Sequence, residues 1–174
     1  MTRTRRLLAV LLALSVSATL FASDEPLFRV LVDGKWGFIE ADGSVVVEPR
    51  FDYAFPYRNG FTVVRMGDER TGKRAFLDAN GDPITDFIFD RAYHFVNGFG
   101  TAVMAGEWYF VRPDGSLLNE SGYSYAYDFQ EGYAGVRVST SGGSVWGIID
   151  ENGAEVLPAE FERYRYRGQG LDFH

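Results

Sequence analysis

The sequence predicts an all-β protein of tandem repeats: four copies of a three-stranded antiparallel meander, set as an open stacked array in preference to a propeller-like ring. Three observations carry this. Turn glycines Gly43, Gly81, Gly115 and Gly153 recur at spacings of 38, 34 and 38 residues. Around each, the same residue types return in register: an aromatic eight residues on (Phe51, Phe89, Tyr123, Phe161), a second glycine seventeen on (Gly60, Gly98, Gly132, Gly170), and an apolar residue five before (Phe38, Phe76, Phe110, Ile148). No window after the N-terminal segment has a helical apolar period. A fixed period of this length is the signature of a repeat architecture.

The first element lies outside the repeats. "TRTRR" is basic, "LLAVLLALSV" from Leu7 to Val16 is apolar, and small residues follow. That order is a secretory signal peptide over residues 1–23, with cleavage expected after Ala18 or near residues 22–23. The apolar run is short of the roughly 20 residues that a membrane helix needs. The mature domain is then 24–174, expected in the periplasm or outside the cell, with no membrane attachment once the signal is removed. It has no cysteine, which excludes disulfides, thiolate metal sites and a lipidated cysteine. Without the three arginines before Asp24, 14 basic residues face 24 acidic ones, a net charge of −10. So acidic a surface repels nucleic acid and anionic lipid, whose affinity for proteins comes from lysine and arginine neutralising phosphate.

Next comes "LFRVLV", Leu27 to Val32, a strand ahead of the first hairpin. If it completed the last unit, the row would close into a ring. Each unit then opens with a strand such as "KWGFIE", whose apolar residues alternate with period two. It turns at Asp42-Gly43, Asn80-Gly81, Asp114-Gly115 or Asn152-Gly153, and continues as a β-branched run such as "VVVEP". An Asn-Gly or Asp-Gly pair between such runs predicts a tight hairpin with positive φ at both turn positions. An aromatic connection follows, "FDYAFPYRNG" in the first copy and "YSYAYDFQEG" in the third, and then a third strand, "FTVVRM", "FGTAVMA" or "YAGVRVS". The units so drawn span about 34–71, 72–105, 106–143 and 144–174. A lone meander leaves one apolar face bare, so the units are expected to stack, with the aromatic connections between them.

The Lys35-Trp36-Gly37 triplet, the acidic-Gly turn, Pro49, Phe51, Asp52, Phe55 and the Gly60-Phe61 pair resemble the WG-containing repeat family, also called KWG repeats. The fourth copy repeats Trp146-Gly147, Pro158 and Phe161. Tyr109 takes the family glycine in the third copy, and Arg74-Ala75 replaces the whole pair in the second. The resemblance implies an all-β repeat protein and supplies no catalytic residues.

Reactive chemistry has little support in the residues. Asp78, Asn80 and Asp82 have the first spacings of a calcium loop, but glycine and proline fall at the wrong places, so a hairpin turn is the reading. His94, between Tyr93 and Phe95, reads as a rim histidine. No serine elbow or glycine-rich phosphate loop is present, and no metal or cofactor is expected. Trp36, Trp108 and Trp146 share a strand face with Phe38, Phe110 and Ile148 and read as core. Tyr123, Tyr125 and Tyr127 cannot all point inward. The expected function is a non-catalytic exported scaffold binding protein or peptide in the bacterial envelope; the alternative is a cell-wall or other glycan-binding module using exposed aromatics. The binding candidates are Arg163, Tyr164, Arg165, Tyr166 and Arg167, a basic and aromatic run in an acidic chain, together with Tyr125.

Overall fold

The computed structural model describes residues 27–162 and the strands 165–167 and 170–172; for those six residues only the backbone is described. The signal peptide expected over 1–23 lies outside the described residues, among which there is no helix.

Every described element is β, in four antiparallel sheets and a terminal ribbon. The first sheet has β1 (Phe28–Val32), β2 (Lys35–Ile39) and β3 (Val45–Phe51). The second has β4 (Tyr53–Ala54), β5 (Thr62–Met66) and β6 (Lys73–Leu77). The third has β7 (Arg91–Val96), β8 (Phe99–Met104) and β9 (Glu107–Val111). The fourth has β10 (Tyr125–Ala126), β11 (Tyr133–Thr140), β12 (Gly143–Asp150) and β13 (Glu155–Phe161). A ribbon of β14 (Arg165–Arg167) and β15 (Gly170–Asp172) follows. Among the described residues no sheet closes into a barrel, and the row is open.

The meanders are those that the sequence predicts, but the sheet frame cuts across the sequence units. Each third strand pairs with the first strand of the next unit, β5 with β6, β8 with β9 and β11 with β12. In the first sheet β1 occupies that third-strand place and pairs with β2, from Phe28 opposite Ile39 to Val32 opposite Lys35. The second, third and fourth sheets therefore each tie two consecutive units together with main-chain hydrogen bonds, and the ring-closing role considered for "LFRVLV" is not the one it takes.

The turns also divide differently from expectation. At the four repeat glycines only glycine has positive φ, between 82° and 91°. Gly43 N donates to Glu40 O (3.1 Å) and Glu40 N to Ser44 O (2.9 Å), which makes a type I turn closed by a left-handed glycine. The aspartate at the turn supports it, Asp42 Oδ1 accepting from Ser44 N at 2.8 Å. Two-residue turns with both φ positive occur instead at Asp33-Gly34, Asn59-Gly60, Asn97-Gly98, Ala105-Gly106 and Glu131-Gly132. Asp78 and Asp82 belong to a hairpin, as expected, with Asp78 Oδ1 accepting from Asn80 N and Asp82 N, both at 2.9 Å.

Three cores lie between the four sheets. Phe38, Val47 and Phe51 of the first sheet meet Ala54, Val64, Ala75 and Leu77 of the second. From the opposite face of the second sheet, Val63 and Phe76 meet Ala92, Phe95, Ala102 and Val111 of the third. Phe99 and Phe110 then meet Ala126, Ala134, Val136 and Ile149 of the fourth. Adjacent residues such as Val63 and Val64 serve different cores because successive strand side chains point to opposite faces. Of the repeat aromatics, Phe51 and Phe89 are fully buried, while Tyr123 and Phe161 are half-buried.

The Trp-Gly signature has a steric reason. A Cβ on Gly37 would lie 2.5 Å from Val47 O and 2.7 Å from Pro49 N; one on Gly147 would lie 2.9 Å from Leu157 O and Ala159 N. Only glycine admits the bulged second strand this close. Where the glycine is absent, in the Ala75 and Tyr109 copies, the second strand is reduced to isolated bridges, Leu77 to Pro83 and Val111 to Leu117. Side chains take over there: Phe76 N donates to Thr85 Oγ1 (3.0 Å) and Phe110 N to Asn119 Oδ1 (3.1 Å).

A second ladder joins the units. Asn59 Nδ2 donates to Phe95 O (2.9 Å) and Asn97 Nδ2 to Phe129 O (2.7 Å), while Phe61 stacks on Phe95 at 3.9 Å and Phe99 on Phe129 at 4.3 Å. Glu131 and Tyr133 take these places in the third unit; a carboxylate donates nothing, and Tyr133 is 42% exposed. Asn97→Ala is expected to lower stability by about 1–2 kcal/mol, because it strands the Phe129 carbonyl and places alanine at positive φ. A urea titration with an unchanged midpoint would refute this.

Candidate functional site

Strand register brings one residue of each unit to a common place. Trp36 lies opposite Phe51, Arg74 opposite Phe89, Trp108 opposite Tyr123 and Trp146 opposite Phe161. The three tryptophans are half-buried, Trp36 and Trp108 with one side against a core, so core packing accounts for only part of each.

The aromatic connection adds the next layer. Tyr93 stacks in parallel on Trp108 with centroids 5.6 Å apart and planes 1° from parallel; Tyr127 stacks on Trp146 at 5.4 Å and 22°. Tyr93 and Tyr127 stand twelve residues after their turn glycines, so each unit's tyrosine covers the tryptophan of the next. Tyr125 lies between, 4.6 Å from Trp108 and 6.0 Å from Trp146. The Arg137 guanidinium sits 5.7 Å over Tyr125 and 5.6 Å over Trp146, a cation–π contact to both rings. Of the three tyrosines, Tyr123 turns to the core and Tyr127 is exposed, while Ala126 supplies the inward residue. A shallow cleft of about 280 Å³ opens among Tyr93, Trp108, Tyr125, Tyr127 and Asp128.

The band starts at the first sheet, where Arg29 lies 5.0 Å over Trp36 and Trp36 meets Tyr53 edge-on at 6.3 Å. Lys35 and Lys73 anchor it to the loops. Lys35 pairs with Asp52 at 2.5 Å, and Asp52 accepts from Gly67 N at 2.7 Å; Lys73 pairs with Asp90, which accepts from Ala105 N at 2.9 Å. The lysine hydrogen bond and the loop amide together hold each carboxyl below the usual aspartate range.

The family model described as WG containing repeat matches the chain at residues 36–69, 76–108, 111–139 and 146–166, well over half its length. The chain belongs to the WG-containing repeat family. No curated protein matches it. In the WG repeats of this chain, the tryptophan is thus both core wall and surface ring, and the glycine is the gap through which the neighbouring strand passes. Tyr125, a binding candidate from sequence, lies inside the WG-repeat band. Arg163 and Tyr164 lie outside the described residues; Arg165, Tyr166 and Arg167 form β14, paired with β15 through Tyr166 opposite Leu171. Tyr127 is, as sequence allows, one of the outward tyrosines of its segment, whereas Tyr93 and Arg137 are not among the sequence candidates. The signal for the two tyrosines was the twelve-residue offset from the turn glycine that makes Phe55 their counterpart in the first WG repeat; Arg137 stands at the place of Arg65 in that repeat.

Proposed function

We propose that the mature protein is an exported, non-catalytic scaffold that binds protein or peptide along the band of Tyr93, Trp108, Tyr125, Tyr127 and Trp146. The observation that supports this reading is the run of stacked, half-exposed rings interleaved with a guanidinium on a rigid sheet surface. Aromatic and arginine side chains of this kind supply most of the energy at protein interfaces, because they bury large areas at little conformational cost. Repeats present such a surface along their length. Export rests on the N-terminal order of basic, apolar and small residues, and the mass of the secreted form would report the cleavage point.

The test is selection of peptides from a display library against the exported chain, followed by calorimetry on Tyr127→Ala. Because Tyr127 is exposed, the variant is expected to keep its circular dichroism spectrum and to lose affinity about tenfold or more. Selected peptides that bind the variant unchanged, or binding only to cell-wall glycans on an array, would count against this reading.

A further inference from the structure

The second unit departs from the band at two places, and both departures are to arginine. Arg74 stands where the other units have tryptophan, and Arg91 stands where the first and third have Tyr53 and Tyr125. The stacking partner is consequently missing. Tyr93 covers Trp108 and Tyr127 covers Trp146, but their counterpart Phe55 meets Tyr53 (5.0 Å) and His94 (5.6 Å) edge-on and lines an open cleft together with Arg74. A cleft of about 250 Å³ lies between the second and third sheets, with Phe55, Val63 and Ala92 as its apolar part, Arg74, Arg91 and His94 as its polar part, and Tyr93 shared with the aromatic band. A second hollow of about 360 Å³ adjoins it across Phe55 and Arg74 and is bordered by Tyr53, Arg65 and Glu69.

The charges at this place are concentrated. Arg65 lies directly opposite Arg74 in the β5–β6 ladder, an arrangement of like charges that costs stability by itself. Burial, with Arg65 and Arg91 nearby, lowers the Arg74 pKa, and burial with Arg58 lowers that of His94. Among the described residues, no carboxylate oxygen lies within 4.0 Å of the guanidinium groups of Arg65, Arg74 or Arg91; the ion pairs there belong to Lys35 and Lys73. Arg74 instead donates through Nη1 to the carbonyl of Asp90. Two buried nitrogens, Arg65 Nε and His94 Nδ1, have no protein partner among the described residues. The acidic groups at the rim are Glu69 and the lysine-bound Asp52 and Asp90.

We propose that this cleft between the second and third sheets binds a carboxylate of a short acidic peptide segment, through Arg74 and Arg91, with an adjoining apolar side chain on Phe55, Val63 and Ala92. The proposal rests on the peptide-binding reading above and names the chemistry of its partner. A carboxylate supplies the acceptor that guanidinium groups take as paired hydrogen bonds. The partner is short because the chain carries a net charge of −7 in full, which repels an extended polyanion. The apolar part of the cleft suits a peptide side chain better than a hydroxyl-rich sugar.

The experiment is fluorescence anisotropy at low salt with a labelled Glu-Glu-Phe-Glu-Glu peptide, the glutamine and lysine analogues as controls, and a labelled oligogalacturonate as the carbohydrate carboxylate. The full exported chain is expected to bind the acidic peptide and neither control. Arg74→Gln should weaken binding about tenfold or more. Arg74→Trp, which restores the residue that the other units carry, should abolish binding while keeping or raising the melting temperature, so loss of fold is separated from loss of site. Equal binding of the glutamine analogue, unchanged affinity in Arg74→Gln, or preference for oligogalacturonate would overturn the proposal. Tyr127→Ala leaves this cleft untouched, so failure here and failure of the aromatic band are read separately.

Discussion

Gly115→Ala is expected to destabilise the protein by ~3–4 kcal/mol, whereas Gly43→Ala, at the same place in the first unit, should cost only ~1–2 kcal/mol. Both glycines have positive φ, 83° and 91°, so both pay the penalty of a Cβ in the left-handed region. They differ in what lies beyond the turn. A Cβ on Gly115 would sit 1.8 Å from Ile84 O, in the unit before, while a Cβ on Gly43 meets nothing within 4 Å. The same contact recurs where Gly81 lies on Val47, at 2.3 Å from Cγ2 to the ideal Cβ, and loosens at Gly153, 3.5 Å from Leu118. The later hairpins thus rest their turns on the second strand of the preceding unit, while among the described residues nothing lies against the turn of the first. Urea denaturation of the two variants side by side measures the difference. Equal losses would mean that the turn conformation alone matters and that the hairpins do not stack as described.

Phe76→Ala is the second large effect, an expected loss of ~3–5 kcal/mol. Phe76 is completely buried and meets Phe89 at 5.9 Å and Phe95 at 5.3 Å, both edge-to-face. Gly100 completes the socket: a Cβ there would lie 3.0 Å from the Phe76 ring. Truncation leaves a cavity whose walls belong to two different sheets, so neither can collapse into it without shifting against the other. Stacked units share their stability through such interfaces, and the loss should be felt by the units on both sides. Phe28→Ala is the control, since its ring is 51% exposed on β1 and its removal should cost under about 0.5 kcal/mol. A loss below about 1 kcal/mol for Phe76→Ala in chemical denaturation would show that the second core is not what holds the second and third sheets together.

The repeat period, the strands and the buried residues were legible in the sequence because each follows from a local rule. Alternation placed Phe38, Phe76 and Phe110 on the core face, and all three are fully buried. The turn glycines were located correctly, but their turn type was not. The Asp-Gly and Asn-Gly pairs of the hairpins form type I turns with a left-handed glycine, and the two-residue turns fall at the other set, Asn59-Gly60 and Asn97-Gly98. A dipeptide does not distinguish these, because the choice depends on how many residues the flanking ladder consumes. The candidate site was legible only in part. Tyr125 was named, but Arg74 was read as degeneracy of the second copy, when its place beside Phe55 and opposite Arg65 makes it the wall of a cleft.

The sequence alone determined that the chain is an all-β tandem repeat of four units, since alternation, turn residues and period are properties of short stretches. Only the tertiary structure decided that each third strand pairs forward into the next unit, so that sheets bridge units and cores lie between sheets. The paired strands are chain neighbours, β8 meeting β9 across the two-residue turn Ala105-Gly106, yet their sequences suit the edges of separate units equally well. The frame is settled by burial: with this pairing the second and third sheets carry a core on each face and the first and fourth on one, a quantity that exists only once neighbouring units are stacked.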